Sequence, residues 1–202
     1  MAKVLIVSGS PSKTSRTAAL ADAIANEIRL NEIETEHLRI GELDPRALLS
    51  ADFSHPSLVE FAAKVKDAHG IIVATPIYKA SFSGLLKAAL DILPQYALAG
   101  KVVLPLGTGG SLAHMLALDY ALRPVLQSMK ARHIVQSHFV LDTLLSADIG
   151  GINLKDPNLV DLRRAWDHFM HSLTEDLDRP GVKYSRAALS VEHTKQALAA
   201  QN

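Results

Sequence analysis

The sequence predicts an α/β protein in which a parallel sheet is covered by helices on both faces. Short apolar segments rich in β-branched residues alternate along the chain with longer segments of helical periodicity. Most of these apolar segments end in glycine, serine or threonine, which is typical of buried parallel strands that run into loops. Strands that alternate with helices in this way indicate a doubly wound sheet.

The individual elements follow from the same periodicities. Four apolar strands are predicted at Lys3 to Ser8, Gly70 to Thr75, Lys101 to Gly107 and Arg132 to Phe139, and a more polar strand at Glu34 to Arg39. Helices are predicted at Thr17 to Leu30, Ser57 to Ala68, Ser83 to Leu93, Leu112 to Lys130 and Asn158 to Leu173. We therefore expect a flavodoxin-like, five-stranded parallel sheet in the order 2-1-3-4-5. Ligands of such sheets bind beyond the carboxyl ends of the strands, at the switch between the first and third strands.

Composition limits the class of protein and its partners. A chain of 202 residues with 48% hydrophobic content is long enough for one core, so we expect one domain over residues 1–175. Residues 176–202 are expected to form a disordered end or an arm on a neighbouring subunit. The 21 basic and 21 acidic side chains balance, which favours a small-molecule partner over nucleic acid or an anionic membrane.

Targeting and metal signals are weak in this sequence. The apolar run at Val4 to Val7 is too short for a signal peptide or a membrane span, so we expect a cytoplasmic protein. The absence of cysteine excludes disulfides and thiolate metal sites, and it fits a reducing compartment. No histidine pair has metal-ligand spacing, so we predict no metal site and no catalytic side chain. Redox chemistry would need a cofactor.

A loop rich in hydroxyl groups follows the first strand and opens a helix. Its sequence runs from Gly9 to Thr17 and includes Ser10, Ser15 and Arg16. Free amides at a helix start, serine and threonine hydroxyls and a guanidinium together form a phosphate site. The loop lacks the Gly-Lys-Ser/Thr ending of nucleotide triphosphate loops and the Gly-x-Gly-x-x-Gly dinucleotide pattern. The alternative is an ordinary serine-rich turn that caps a helix.

A second polar loop follows the third strand. Pro76 is expected to end that strand, and Ile77, Tyr78 and Lys79 then present backbone groups and an aromatic ring at the predicted ligand crevice. Simple packing of the tyrosine and a solvated lysine are the alternatives.

A third loop joins the fourth strand to a helix through glycines. It contains Thr108, Gly109, Gly110 and Ser111. Glycines allow backbone amides to approach a ligand closely, and such amides can stabilise negative charge. The alternative is a flexible connection, but three polar loops at one sheet edge favour a shared site.

The helix predicted at Leu112 to Lys130 contains an irregularity. Pro124 lacks the amide that would bond the carbonyl of Tyr120, so a bulge or kink should start near Tyr120. The alternative role for Tyr120 is that of a core or surface residue beside a kinked helix.

Several of these segments resemble the NADPH-dependent FMN reductases, and most closely the subgroup that serves alkanesulfonate monooxygenases in bacterial sulfur scavenging. The resemblance rests on residues 9–12, 74–79, 83–87, 100–110 and 117–126 and runs from about Val4 to His138. It implies that the first loop binds the FMN phosphate through Ser10, Ser15, Arg16 and Thr17. The second loop would line the isoalloxazine through Pro76, Ile77, Tyr78 and Lys79, and the third would reach its pyrimidine side through Thr108, Gly109, Gly110 and Ser111.

The resemblance also implies an activity and an assembly. The chain would use NADPH to reduce FMN, and reduced FMN would pass to a two-component monooxygenase in sulfonate metabolism. Tyr120 would lie in a π-helical segment at a subunit interface of a homodimer or homotetramer, where it is linked to flavin exchange. Two alternatives remain open: an FMN-retaining NAD(P)H reductase of quinones, azo dyes or metal oxyanions, and a flavodoxin-type electron carrier. The neutral net charge disfavours the carrier, since flavodoxins are typically acidic.

Overall fold

A computed structural model describes residues 2–12, 14–145 and 152–178 of the chain. The strands are β1 (Lys3–Ser8), β2 (Glu34–Arg39), β3 (Gly70–Tyr78), β4 (Ser81–Phe82), β5 (Val102–Gly109), β6 (His133–Ile134) and β7 (His138–Leu141). The α-helices are α1 (Arg16–Leu30), α2 (Pro45–Ser50), α3 (Pro56–Asp67), α4 (Gly84–Asp91), α5 (Arg123–Ser128) and α6 (Val160–Asp178). The short helix α2 is absent from the sequence-based prediction.

The sheet has the expected flavodoxin-like topology. Its order is β2-β1-β3-β5-β6, and all pairs along this path are parallel. Two details differ from the prediction of five continuous strands. The fifth strand is broken into β6 and β7, which both pair with β5, and the added strand β4 forms an antiparallel hairpin with β3.

Helices cover both faces of the sheet because successive strand residues point to opposite sides. On β1, Leu5 and Val7 face a core formed with α2, α3, α4 and α5, whereas Val4 and Ile6 face a core formed with α1 and α6. Leu159, Leu162, Phe169 and Leu173 are buried against the second face, and Trp166 is partly buried there, as the periodicity of the final helix predicts.

The strand β3 is longer than predicted, because Pro76 does not end it. The Gly9 amide donates to the Ala74 carbonyl at 2.8 Å, so Ala74 turns its backbone polar groups toward β1. Pro76 lies two residues further along and faces the same side, where β1 has already ended at Ser8. Its missing amide therefore leaves no broken ladder bond, which is the condition under which strands tolerate proline.

The strand β5 also extends past its predicted end at Gly107. Thr108 pairs with Pro76 on one side and with Val140 on the other, and Gly109 pairs with Leu141. Two of the residues assigned to the third loop therefore belong to the sheet, since neighbouring strands supply partners on both sides.

The segment predicted as one helix from Leu112 to Lys130 is divided. It begins with a 3-10 turn at Leu112–His114, continues as a π-helical segment at Leu118–Leu122, and ends as α5. The irregularity expected near Tyr120 is therefore confirmed, and its form is a π-bulge. Pro124 explains it, because a missing amide shifts the hydrogen-bond pattern of the preceding turn.

Residues 176–178 continue α6 beyond the domain boundary expected at 175, and residues 179–202 of the expected tail lie outside the described residues. Across the part of the chain that is described, no helix combines the length and apolar character needed to cross a membrane.

Candidate functional site

The three polar loops meet at the carboxyl edge of the sheet, and buried hydrogen bonds connect them. The Ser83 hydroxyl, at the start of α4, donates to the Gly9 carbonyl at 2.5 Å and accepts from the Leu86 amide at 3.1 Å. The Ser83 amide donates to the Thr75 hydroxyl at 3.0 Å. This network fixes the first loop against the start of α4.

Gly9 itself is required by close packing at this junction. A Cβ atom at Gly9 would lie 2.7 Å from the Cβ of Leu86 and 3.0 Å from the Ser83 hydroxyl oxygen. The beginning of the first loop is therefore pressed against α4, and no side chain fits between them.

The start of α1 has the donors that an anion site of the predicted type needs. Ser15 is the N-cap, and its hydroxyl accepts from the Ala18 amide at 3.1 Å. The first amides of a helix have no acceptor within the helix, so those of Arg16 and Thr17 belong to a turn that can bind an anion. Ser10 is buried, and its hydroxyl accepts from the Ser12 amide at 3.3 Å.

The guanidinium of Arg16 has a partner that the sequence does not reveal. Its Nη1 lies 3.5 Å from Oδ2 of Asp142, which follows the last strand. Both side chains are partly exposed, so the pair is weak and the guanidinium can turn to another anion. A carboxylate just after a strand at the ligand edge is the signal that could have identified Asp142.

A buried hydroxyl pair joins the first and third loops. Oγ1 of Thr17 lies 2.6 Å from Oγ1 of Thr108, although 91 positions separate the two residues. In such a pair one hydroxyl donates to the other, and the accepting hydroxyl keeps its own proton for a further acceptor. Thr17 and Thr108 are thus brought together, and their buried contact connects the start of α1 to the end of β5.

The second loop is a tight hairpin whose turn has an uncommon backbone. Lys79 and Ala80 connect β3 to β4 with φ values of 50° and 62°. Two successive left-handed residues form the turn type that suits a two-residue hairpin, but residues other than glycine and asparagine adopt it at a free-energy cost. Pro76 and Ile77 are buried in β3, whereas Tyr78 is half exposed at its end.

The π-helical segment contacts this turn directly. The Tyr120 hydroxyl donates to the Ala80 carbonyl at 2.6 Å, while most of the tyrosine remains exposed. Tyr120 thus connects the irregular helix to the second loop.

The glycines of the third loop have different roles. Added Cβ atoms at Gly107 and Gly109 would lie 3.1 Å from the Phe139 ring, so packing on β7 restricts both positions. A Cβ at Gly110 would meet nothing within 4 Å, so there is open space beside this residue. Ser111 is exposed and caps the following 3-10 turn by accepting from the Ala113 amide at 3.3 Å.

Sequence reasoning missed the buried residues that support these loops. Ser83 and Thr75 were not candidates, although a serine directly before a predicted helix is a recognisable N-cap signal. Among residues 2–12, 14–145 and 152–178, no group of three or more metal-ligating side chains is placed to hold a metal ion.

A flavodoxin-like sheet with a phosphate-type helix start, an aromatic side chain and an open glycine at one edge defines the class of flavin-dependent α/β proteins. The model of the family described as NADPH-dependent FMN reductase matches residues 2–144. The chain is 45% identical to an "FMN reductase (NADPH)" of Escherichia coli (strain K12) over 141 residues, which cover 70% of this chain and 74% of that protein.

A solved structure and a second relative extend the comparison. A crystal structure of an NADH:FMN oxidoreductase (EMOB) in its apo form is 49% identical, with a TM-score of 0.79 and coverage of 89% of this chain and 92% of that one. An "FMN-dependent NADPH-azoreductase" of Staphylococcus aureus (strain USA300) is 34% identical over 63% of this chain and 70% of its own length.

The chain belongs to the NADPH-dependent FMN reductase family. It is accordingly an oxidoreductase that uses FMN and NADPH, and the electron-carrier alternative is disfavoured. The free amides at the start of α1 and the positive charge of Arg16 fit the FMN phosphate.

Proposed function

We propose that this enzyme binds FMN as an exchangeable substrate, reduces it with NAD(P)H and releases it to a flavin-dependent monooxygenase in sulfonate sulfur assimilation. The observation that carries the exchange is the contact between Tyr120, in the π-helical segment, and the hairpin turn at Lys79 and Ala80. The monooxygenase and sulfonate parts rest on the sequence resemblance described above.

The energetics of that turn favour a loop that can open. A left-handed conformation costs about 1–2 kcal/mol at each non-glycine residue, and one hydrogen bond contributes about 0.5–1.5 kcal/mol net. The strain at Lys79 and Ala80 together is therefore about 2–4 kcal/mol, which exceeds the stabilisation that the Tyr120 hydroxyl provides. The bond from Tyr120 offsets only part of this strain, so the turn can change conformation on flavin binding and release.

The residues of the three loops have separate tasks in this proposal. Ser10, Ser15, Arg16 and Thr17 bind the phosphate; Pro76, Ile77, Tyr78 and Lys79 line the isoalloxazine; Thr108, Gly109, Gly110 and Ser111 approach its pyrimidine side. When bound, FMN would supply the chemistry of hydride transfer, so no side chain of these loops would need to act as an acid or a nucleophile. The chain orients the two partners, and the open backbone at Gly110 can donate where negative charge develops.

An exposed apolar surface beside the site supports self-association. Leu112, Met115, Leu116 and Tyr120 recur at helical spacing, and each exposes about half or more of its side chain. Tyr78 adds a further exposed ring at the end of β3. Contiguous apolar patches of this kind mark interaction surfaces, so we propose a homodimer or homotetramer with this face in the interface.

Flavin content after purification tests exchange against retention. We expect the protein to lose FMN on dilution and gel filtration, and to transfer reduced FMN to an added flavin-dependent monooxygenase. Deletion of Tyr120 should increase FMN retention and change the sedimentation profile, because it removes both the π-bulge and the contact to Ala80. A protein that keeps one FMN per chain on dilution would contradict the exchange mechanism.

A matched control isolates the role of the Tyr120 hydroxyl. Tyr120→Phe removes only the bond to Ala80, and Tyr96→Phe removes the hydroxyl of another partly exposed tyrosine that precedes the amino end of β5, at the opposite sheet edge. We expect a change in FMN dissociation rate in the first variant only. Steady-state kinetics with NADPH and NADH will determine the nucleotide preference.

The second candidate is a reductase that retains FMN and reduces quinones, azo dyes or metal oxyanions. The similarity to the S. aureus azoreductase favours it. Tight FMN together with NADPH-dependent reduction of an azo dye, without free FMN, would support this function in place of exchange.

A further inference from the structure

A hydrogen-bond chain with a buried serine and a buried histidine lies beside the first loop and is not part of the site described above. His37 on β2 contacts Oδ1 of Asp22 through Nδ1 at 2.7 Å, and its Nε2 contacts the Ser8 hydroxyl at 2.8 Å. Arg39 binds the second oxygen of Asp22 at 2.5 Å. Ser8 is 1% exposed, and the His37 side chain is 5% exposed.

The order serine, histidine, aspartate is that of a hydrolase triad, but burial excludes this role. A nucleophilic hydroxyl must reach a substrate carbonyl, and the Ser8 hydroxyl is enclosed at the end of β1. The hydrogen-bond chain must therefore act through the strand and the helix that it connects.

The proton positions follow from the donors and acceptors. A carboxylate only accepts, so Nδ1 of His37 donates to Asp22. In the tautomer that carries its proton on Nδ1, the ring accepts at Nε2, and the Ser8 hydroxyl donates to it. Both ring nitrogens are satisfied, and the ion pair with Arg39 fixes the orientation of the Asp22 carboxylate. This arrangement holds the ring in one tautomer and one orientation.

The hydrogen-bond chain connects β1 and α1, which are the two elements that the first loop joins. Ser8 is the last residue of β1, directly before Gly9, and Asp22 lies in α1, whose first turn is the anion site. His37 therefore sets the distance between the strand end and the helix at the two ends of the loop. An anion site made of backbone amides binds well only if these amides are held in a fixed arrangement.

We propose that His37 is a positioning residue for the flavin phosphate, acting through Ser8 and Asp22, and that it favours FMN over flavins without a phosphate. The proposal rests on the assignment of the first loop to the FMN phosphate. Among the residues that the structure describes, the side chains of Ser8, Asp22, His37 and Arg39 hydrogen-bond only to one another. Loss of these bonds should therefore affect phosphate recognition more than binding of the isoalloxazine.

The test compares FMN with riboflavin, which lacks the phosphate. Fluorescence titrations of the wild type, Ser8→Ala and His37→Gln give dissociation constants for both flavins. We expect FMN affinity to fall by about three- to tenfold, the equivalent of one net hydrogen bond, while riboflavin affinity changes less than about twofold. KM for FMN should rise with kcat retained.

Two controls separate this role from general destabilisation. Glu34→Gln breaks the ion pair with Lys3 between the same two strands, at the amino end of β1 and β2. It should leave the ratio of FMN affinity to riboflavin affinity unchanged. Asp22→Asn changes the partly exposed end of the hydrogen-bond chain and should also lower the preference for FMN over riboflavin. This variant keeps the test available if Ser8→Ala and His37→Gln do not fold. Equal loss of both flavins, or an unchanged ratio in the folded variants, would overturn the proposal.

Arg16→Ala, measured in parallel, distinguishes this proposal from the one on which it rests. If Arg16→Ala lowers the ratio and the His37 chain variants do not, the positioning role alone is wrong. If Arg16→Ala also leaves the ratio unchanged, the first loop does not recognise the phosphate, and both assignments fail.

Discussion

Replacement of Arg16 by alanine tests whether the first loop binds the FMN phosphate. Arg16 is the most exposed of the four proposed phosphate-binding residues. A hydrogen bond from a charged donor contributes about 1.5–3 kcal/mol. In the free protein Arg16 pairs with Asp142 at 3.5 Å, and a partly exposed pair of this kind contributes about 0–1 kcal/mol, which FMN must displace. The net loss is therefore about 0.5–3 kcal/mol, and its middle value of about 1.75 kcal/mol corresponds to a roughly twentyfold weaker FMN complex.

The same pair predicts an opposite effect at Asp142. Asp142→Asn removes the competing carboxylate and a negative charge near the phosphate, so FMN should bind up to about fivefold more tightly. The gain should shrink as salt is added, because partly exposed charges are screened. Riboflavin should bind both variants as it binds the wild type.

Titration of FMN fluorescence at low and near-physiological salt measures these changes. Arg29→Ala is the matched control, since Arg29 is an arginine near the opposite end of α1. Unchanged FMN affinity in Arg16→Ala, or weaker FMN binding in Asp142→Asn, would refute the assignment of Arg16 to the phosphate.

Two further predictions concern stability. Ser83→Ala removes the donor to the Gly9 carbonyl and the cap of α4, and it should lower stability by about 1–3 kcal/mol, measured by urea unfolding. Burial lowers the pKa of His138, with Asp161 opposing the shift, so the folded state binds fewer protons than the unfolded state. Stability from this group should be complete above about pH 6.5 and fall as the pH drops through the folded pKa, and a plot of Tm against pH should flatten in His138→Gln. An equal pH dependence in that variant would contradict the second prediction.

Local sequence patterns were sufficient for the fold and for the meeting of the three polar loops at one edge of the sheet. Alternating apolar and helical segments specify a doubly wound sheet, and the position of Gly9 to Thr17 after the first strand places it at the ligand edge. Pro124 was likewise informative, because the loss of one amide acts on the carbonyl four residues earlier.

Features that depend on distant neighbours could not be predicted. Pro76 remains in β3 only because β1 ends beside it, and Gly109 is restricted by Phe139, thirty positions away in the chain. The contact of Thr17 with Thr108 and the pairing of Arg16 with Asp142 depend on the same three-dimensional arrangement. A single sequence contains the residue types for these contacts but not their proximity.

The broken outer strand has a consequence for solubility. A long, regular edge strand can template pairing with another chain and begin aggregation. On one edge of this sheet β6 and β7 are too short and too interrupted to do so, and on the other edge β2 carries charged residues, of which Glu34 and Glu36 pair with lysines. The apolar surface around Tyr120, which we propose as a subunit interface, is thus exposed on a protein whose sheet edges resist uncontrolled growth.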